Sequence, residues 1–174
     1  MADNQEIWAA EARRALIDVA GSYRSTTTYP ELAETIQSAS GVRTSNLLQN
    51  WIGKTLAKVA LECSRRGEPL LSALCVSSVD GRVGDGYAKA VESTYGELPA
   101  DVEWHAAEER LRCYRHFGAP DLPADGGIAT LTQSVVAMRA KAQKRDRSRR
   151  REHGQACTEC YQVRSLAGVC GCSW

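Results

Sequence analysis

No stretch of this 174-residue chain approaches the roughly 20 consecutive apolar residues that a membrane span needs, so an integral membrane protein is excluded. The opening MADNQEIWAAEARR lacks a basic stretch followed by an apolar core, so no secretory signal is read there. Neither GxxxxGK[ST] nor a full GxGxxG occurs, which removes two common phosphate-cradling signatures. Internal repeats are missing, and the one low-complexity stretch is a basic run. Cysteine does not come in an even number: there are seven, four of them in the last 18 residues. An odd count without a signal argues against a secreted disulfide scaffold and for a reducing cytoplasm, where clustered cysteines usually mean metal. What is present, 43% apolar and 25% charged residues, is ordinary for a globular protein and excludes a disordered acidic chain, a collagen or a bare coiled coil.

The net charge of +1 hides a polarised chain. Residues 1–137 carry 13 Lys/Arg against 18 Asp/Glu, whereas residues 138–155 carry eight against two. The pattern is an acidic body with a basic arm. Three segments are expected: a helical body over 1–120, a linker and basic amphipathic helix over 121–155, and a cysteine-rich tail over 156–174.

Within the body, Trp8, Ala12, Leu16, Val19 and Tyr23 fall on one helical stripe and predict a helix over 4–24. Thr28 and Glu31 have capping-box spacing, with Pro30 in the first turn of a short helix over about 30–39 that closes at Gly41. A third helix is expected over 46–66, capped by Thr44 or Ser45, with Leu48, Ile52, Leu56, Val59 and Cys63 buried. LLSALCVSS, 70–78, reads as a buried strand, and VDGRVGDGY as a turn or hairpin. Helices follow over about 87–95 and 101–117. GAPDLPADGG, 118–127, marks a boundary, after which Ile128, Leu131, Val135 and Met138 open the amphipathic part of the basic helix.

The sharpest chemical signal is Cys157-Thr-Glu-Cys160 followed by Cys170-Gly-Cys172. Two close thiolate pairs flanking a short loop can fill the four tetrahedral positions of a Zn²⁺, and a tail this short needs such a staple to fold. With all four positions taken by cysteine, the zinc is expected to be structural. The pattern resembles a minimal zinc ribbon or knuckle. The alternatives are four free thiols on a ragged terminus, or redox-active pairs.

Arg139, Lys141, Lys144, Arg145, Arg147, Arg149, Arg150 and Arg151 make the basic arm. Such a density of cations suits phosphate contacts of sequence-independent, salt-sensitive kind. Phe, Trp and Leu are absent from 139–155, which disfavours membrane binding. A second polar set stands on the expected helix 46–66: Asn46, Asn50 and Lys54 at i, i+4 and i+8, with Gln49 beside them and Arg43 before the cap. These side chains can read base edges and phosphates, as the second helix of a helix-turn-helix does.

The order TTYPELAE, polar-faced helix, GEPLLSALCVSS, DGRVGDGY resembles a winged-helix module over about 27–87. It is similar to the DNA-binding domain of alkyltransferase-like proteins, and Gly67–Tyr87 resembles proteins of actinobacteria and their phages. The Pro-Cys-His-Arg nucleophile of the alkyltransferases is missing, since Cys75 is followed by Val76 and Ser77, so methyl transfer is not implied. The resemblance implies a winged-helix DNA-binding fold.

The expectation is therefore an α+β, mostly helical protein: a winged-helix-like body, a basic helix and a four-cysteine zinc knuckle. Its expected role is non-catalytic nucleic-acid binding, to DNA ahead of RNA, as a cytoplasmic regulator or accessory factor. A protein-interaction adaptor docking on RNA, a ribosome or a polymerase is the second reading. An enzyme using His105 and Glu109, which share a helical face, is the third.

Overall fold

The computed structural model describes residues 3–152, 157–162 and 172. These form six α-helices: α1 (Asn4–Ala20), α2 (Tyr29–Ser40), α3 (Ile52–Arg66), α4 (Asp85–Tyr95), α5 (Val102–His116) and α6 (Gln133–Glu152). Two short strands, β1 (Thr27–Thr28) and β2 (Cys75–Val76), pair in parallel with Thr27 opposite Cys75 and Thr28 opposite Val76. The protein is thus α+β and mostly helical, as expected. Two compact units divide it, 1–133 and 134–174.

The first unit holds the core. Helix α1 buries Trp8, Ala12, Leu16 and Ala20 at helical spacing and packs against α2 and α3. Helix α2 starts as its sequence dictates. Thr28 Oγ1 accepts from the Glu31 N–H, and Glu31 Oε2 accepts from the Thr28 N–H at 2.8 Å. It stops at Gly41, which takes the left-handed conformation at φ 68°.

Helix α3 begins at Ile52, not near Asn46. The expected cap is engaged elsewhere: Thr44 Oγ1 accepts from the Asn46 N–H at 3.1 Å, a local turn that competes with helix initiation. A 3-10 turn over Leu48–Asn50 follows, and Trp51 then packs on Trp8 with ring centroids 4.7 Å apart. Docking of that indole fixes the chain before the helix can start.

Residues 70–78 are not one strand. Leu71–Leu74 form a 3-10 turn and only Cys75 and Val76 pair. Leu70, Leu71, Ala73, Leu74 and Cys75 are buried whichever way they point, so an apolar run here does not specify extended backbone. The glycine-rich stretch closes as a turn, with the Ser77 N–H donating to Arg82 O at 2.8 Å. Among the described residues no strand returns from it. The next donors go to side chains instead: Val83 N–H to Glu103 Oε1 and Gly84 N–H to Tyr29 Oη. A Cβ on Gly84 would stand 2.6 Å from that hydroxyl, so a larger residue there would have to displace the Tyr29 side chain.

The stretch 118–127, expected as a boundary, is laced to the first unit. Asp121 accepts from the Tyr23 N–H at 2.7 Å, and Arg115 donates to the carbonyls of Gly126 and Gly127. Tyr23 Oη takes part in hydrogen bonds with both N–H and C=O of Ile128. With that peptide so engaged, helix α6 starts at Gln133 rather than at Ile128, and Ile128 and Leu131 lie outside it.

Candidate metal centre and nucleic-acid surface

In the second unit, the chain turns tightly after α6. The Tyr161 N–H donates to Cys157 O at 2.9 Å and the Cys157 N–H to Gln162 O at 2.8 Å, with Tyr161 left-handed at φ 57°. This turn brings Cys157 and Cys160 to one side, where Cys172 joins them. The three Sγ atoms lie within 4.8 Å of one another, and those of Cys157 and Cys172 are 3.5 Å apart. A disulfide would need about 2.05 Å, so these are thiols. A metal ion held tetrahedrally at about 2.3 Å from each sulfur would space them about 3.8 Å apart, close to the 3.5 Å between Cys157 and Cys172 and within the 4.8 Å that bounds all three. Cys157 is buried, Cys160 half-buried and Cys172 exposed. Cys170, the fourth expected ligand, lies outside the described residues.

The remaining cysteines behave differently. Cys63, Cys75 and Cys113 are wholly buried in the first unit, and desolvation pushes each thiol up from its ordinary value. They serve as small apolar side chains.

Helix α6 carries the basic arm. Lys141, Lys144, Arg145 and Arg147 are exposed and Arg139 is half-buried, while the side chains of Arg149, Arg150 and Arg151 lie outside the described residues. At 100° per residue these cations are spread around the helix rather than gathered on one face. Beyond Met138 the only apolar residues in α6 are Ala140 and Ala142, so this part has no stripe with which to join a core.

The second polar set is regrouped. Arg43 and Asn46 lie in the irregular segment after α2, Gln49 and Asn50 on the 3-10 turn, and Lys54 in the first turn of α3. All five are exposed, but Asn46, Asn50 and Lys54 do not share one helical face, because α3 starts after two of them. Gln49 instead borders a cavity of about 460 Å³ with Ile52, Leu56, Ser72, Gly84 and Tyr87. Burial, first of all, pushes the Tyr29 hydroxyl on this cavity up to about 12.

His105 and Glu109 are each engaged separately. His105 Nδ1 is 2.9 Å from Tyr87 Oη. The Glu109 carboxylate, 1% exposed, accepts from the Leu70 N–H at 2.8 Å, Arg112 at 2.7 Å and Tyr95 Oη at 3.2 Å. A carboxylate so fully committed ties α5 to the Leu70 backbone. Arg110, next to it and equally buried, gave no signal in sequence, because a residue inside Glu108–Arg112 reads as part of a solvated face.

No family model, curated protein or solved structure matches this chain. Its function has to follow from its own geometry.

Proposed function

We propose that the protein is a non-catalytic nucleic-acid-binding protein, favouring DNA, in which the α6 cations anchor phosphates and a structural Zn²⁺ folds the tail. The observation that carries this reading is an exposed cationic helix, without a core-facing stripe beyond Met138, running into a cluster of three mutually close thiols. Cys157, Cys160 and Cys172, completed by Cys170, would hold the zinc. A closed set of thiolates supplies folding energy and offers no place for substrate. In the first unit, α2 and α3 are read as the helix pair of a winged-helix-like body. Base contact then falls to Arg43, Asn46, Gln49, Asn50 and Lys54, supported by their exposure.

Elemental analysis of the reduced protein is expected to find one Zn²⁺ per chain, released by Cys157→Ser or Cys172→Ser. A metal-free protein with the same amide spectrum for 157–172 would overturn the zinc assignment.

Replacing Arg147, Arg149, Arg150 and Arg151 by Ala is expected to weaken binding to all duplex sequences alike. The slope of log K against log salt should flatten by up to about 0.9 for each phosphate no longer neutralised. In the same gel-shift series Asn50→Ala is expected to cost about 1–3 kcal/mol on a preferred site and little on random DNA. Unchanged affinity and slope in the arginine variant would reduce the arm to a linker.

A further inference from the structure

The first unit contains a cavity of about 360 Å³ that the proposed function does not use. Its wall includes two arginines, Arg24 and Arg110, the hydroxyl-bearing Thr26 and Thr130, and the apolar Ala107 and Leu111. No Asp or Glu lines it.

Arg110 is only 3% exposed. Its guanidinium donates from Nη1 to Ala73 O at 3.2 Å and from Nη2 to Thr130 O at 3.4 Å, both neutral carbonyls. Among the described residues no carboxylate lies within 4.0 Å of it; the ion pairs engage Arg13, Arg14, Lys58, Arg66, Arg82 and Arg112. The acid that acts on it is the buried Glu103, which does not line the cavity and is itself paired with Arg82. A guanidinium has five N–H donors, of which two are used here. The fold therefore keeps a guanidinium at the cavity wall that makes no direct ion pair within the described residues and shares Glu103 with Arg82.

Arg24 is the second unusual feature. It stands left-handed at φ 65°, a conformation that costs a side-chain-bearing residue energy and that glycine would adopt freely. The turn holding it is braced from several sides. The Ser25 N–H donates to Ser22 O, Asp121 accepts from Ser22 Oγ and the Tyr23 N–H, and Tyr114 Oη donates to Ser25 O at 2.7 Å. Its guanidinium lies 5.1 Å from the centroid of the Tyr23 ring, and among the described residues no carboxylate pairs with it either. A strained, exposed arginine and a buried arginine, neither in a direct ion pair, thus face one cavity.

We propose that this cavity binds the phosphate monoester of a small, partly apolar molecule. Two guanidinium groups match the charge of about −1.5 to −2 that such a monoester carries at pH 7, whereas a carboxylate would balance only one. The threonine hydroxyls supply further hydrogen bonds, and Ala107 and Leu111 a surface for the apolar body. The site is built wholly from residues 24–133, so it shares no residue with the arm or the cysteines.

Titration calorimetry on the full chain tests this with phenyl phosphate, benzoate and phenol. Phenyl phosphate is expected to bind saturably and at least about tenfold more tightly than benzoate, with no heat from phenol. Because Arg110 variants can fail to fold, Arg24→Gly is the decisive variant. It should keep the melting temperature, since glycine relieves the left-handed strain, while weakening phenyl phosphate at least about tenfold. Replacing Arg147, Arg149, Arg150 and Arg151 by Ala should leave phenyl phosphate affinity unchanged. The proposal is overturned if phenyl phosphate does not saturate, if benzoate binds as well, or if Arg24→Gly binds as wild type. Affinity that falls with the arm rather than with Arg24 overturns it too.

Discussion

Glu109→Ala is expected to destabilise the first unit by at least about 3 kcal/mol, the combined cost of an orphaned buried N–H and a cavity. The Leu70 N–H it leaves behind belongs to a wholly buried residue and cannot turn to water. Tyr95 and Arg112, the other partners, are exposed and recover solvent, so they add little. Glu109→Gln is the informative companion. Its carbonyl can still accept from Leu70, so it should cost less than half as much. Urea denaturation followed by circular dichroism reads both as a lower midpoint at constant slope. Equal losses for Ala and Gln would mean that the charge, not the Leu70 hydrogen bond, matters.

Trp51→Ala is expected to cost about 3–5 kcal/mol, as for other large aromatic truncations in cores. Trp51 is 3% exposed and its ring meets that of Trp8, whose Nε1 donates to Val42 O at 3.0 Å. The pair thereby pins α1, the segment after α2 and the start of α3 at one point. Trp8→Phe keeps an aromatic ring and loses chiefly the hydrogen bond, so about 0.5–1.5 kcal/mol is expected in the same denaturation series. A Trp51→Ala loss no larger than that of Trp8→Phe would show that the start of α3 is fixed by something other than this stacking.

The helices were legible where the signal is local. Thr28 and Glu31 are three residues apart and cap α2 by themselves, and Gly41 and Gly67 end their helices because each takes positive φ. The start of α3 was not legible, since Thr44 can cap a helix or make a short turn, and the docking of Trp51 on Trp8 from another helix favours the second. Residues 70–76 misled for a related reason: their apolar run records burial, and burial is compatible with a 3-10 turn. For the candidate metal centre, spacing alone marked Cys157, Cys160 and Cys172, because ligands close in sequence need little help from the rest of the fold. Arg24 and Arg110 were invisible, because a left-handed turn and a guanidinium buried against carbonyls exist only once the helices have packed.

Thr28 has two duties whose timing differs. It pairs with Val76, 48 residues further along, and its side chain caps α2 by bonding to a residue only three positions away. Capping can happen as soon as α2 nucleates, whereas the parallel ladder must wait until the long intervening loop is closed at an entropic cost. The ladder is then a seal set late on an already folded α2–α3 pair. Substitutions at Cys75 or Val76 should accelerate unfolding and spare the folding rate, while Thr28→Ala should also slow folding. Stopped-flow rates for the three variants, with equal effects on both limbs for Val76→Ala as the contrary result, would date the seal within the folding sequence.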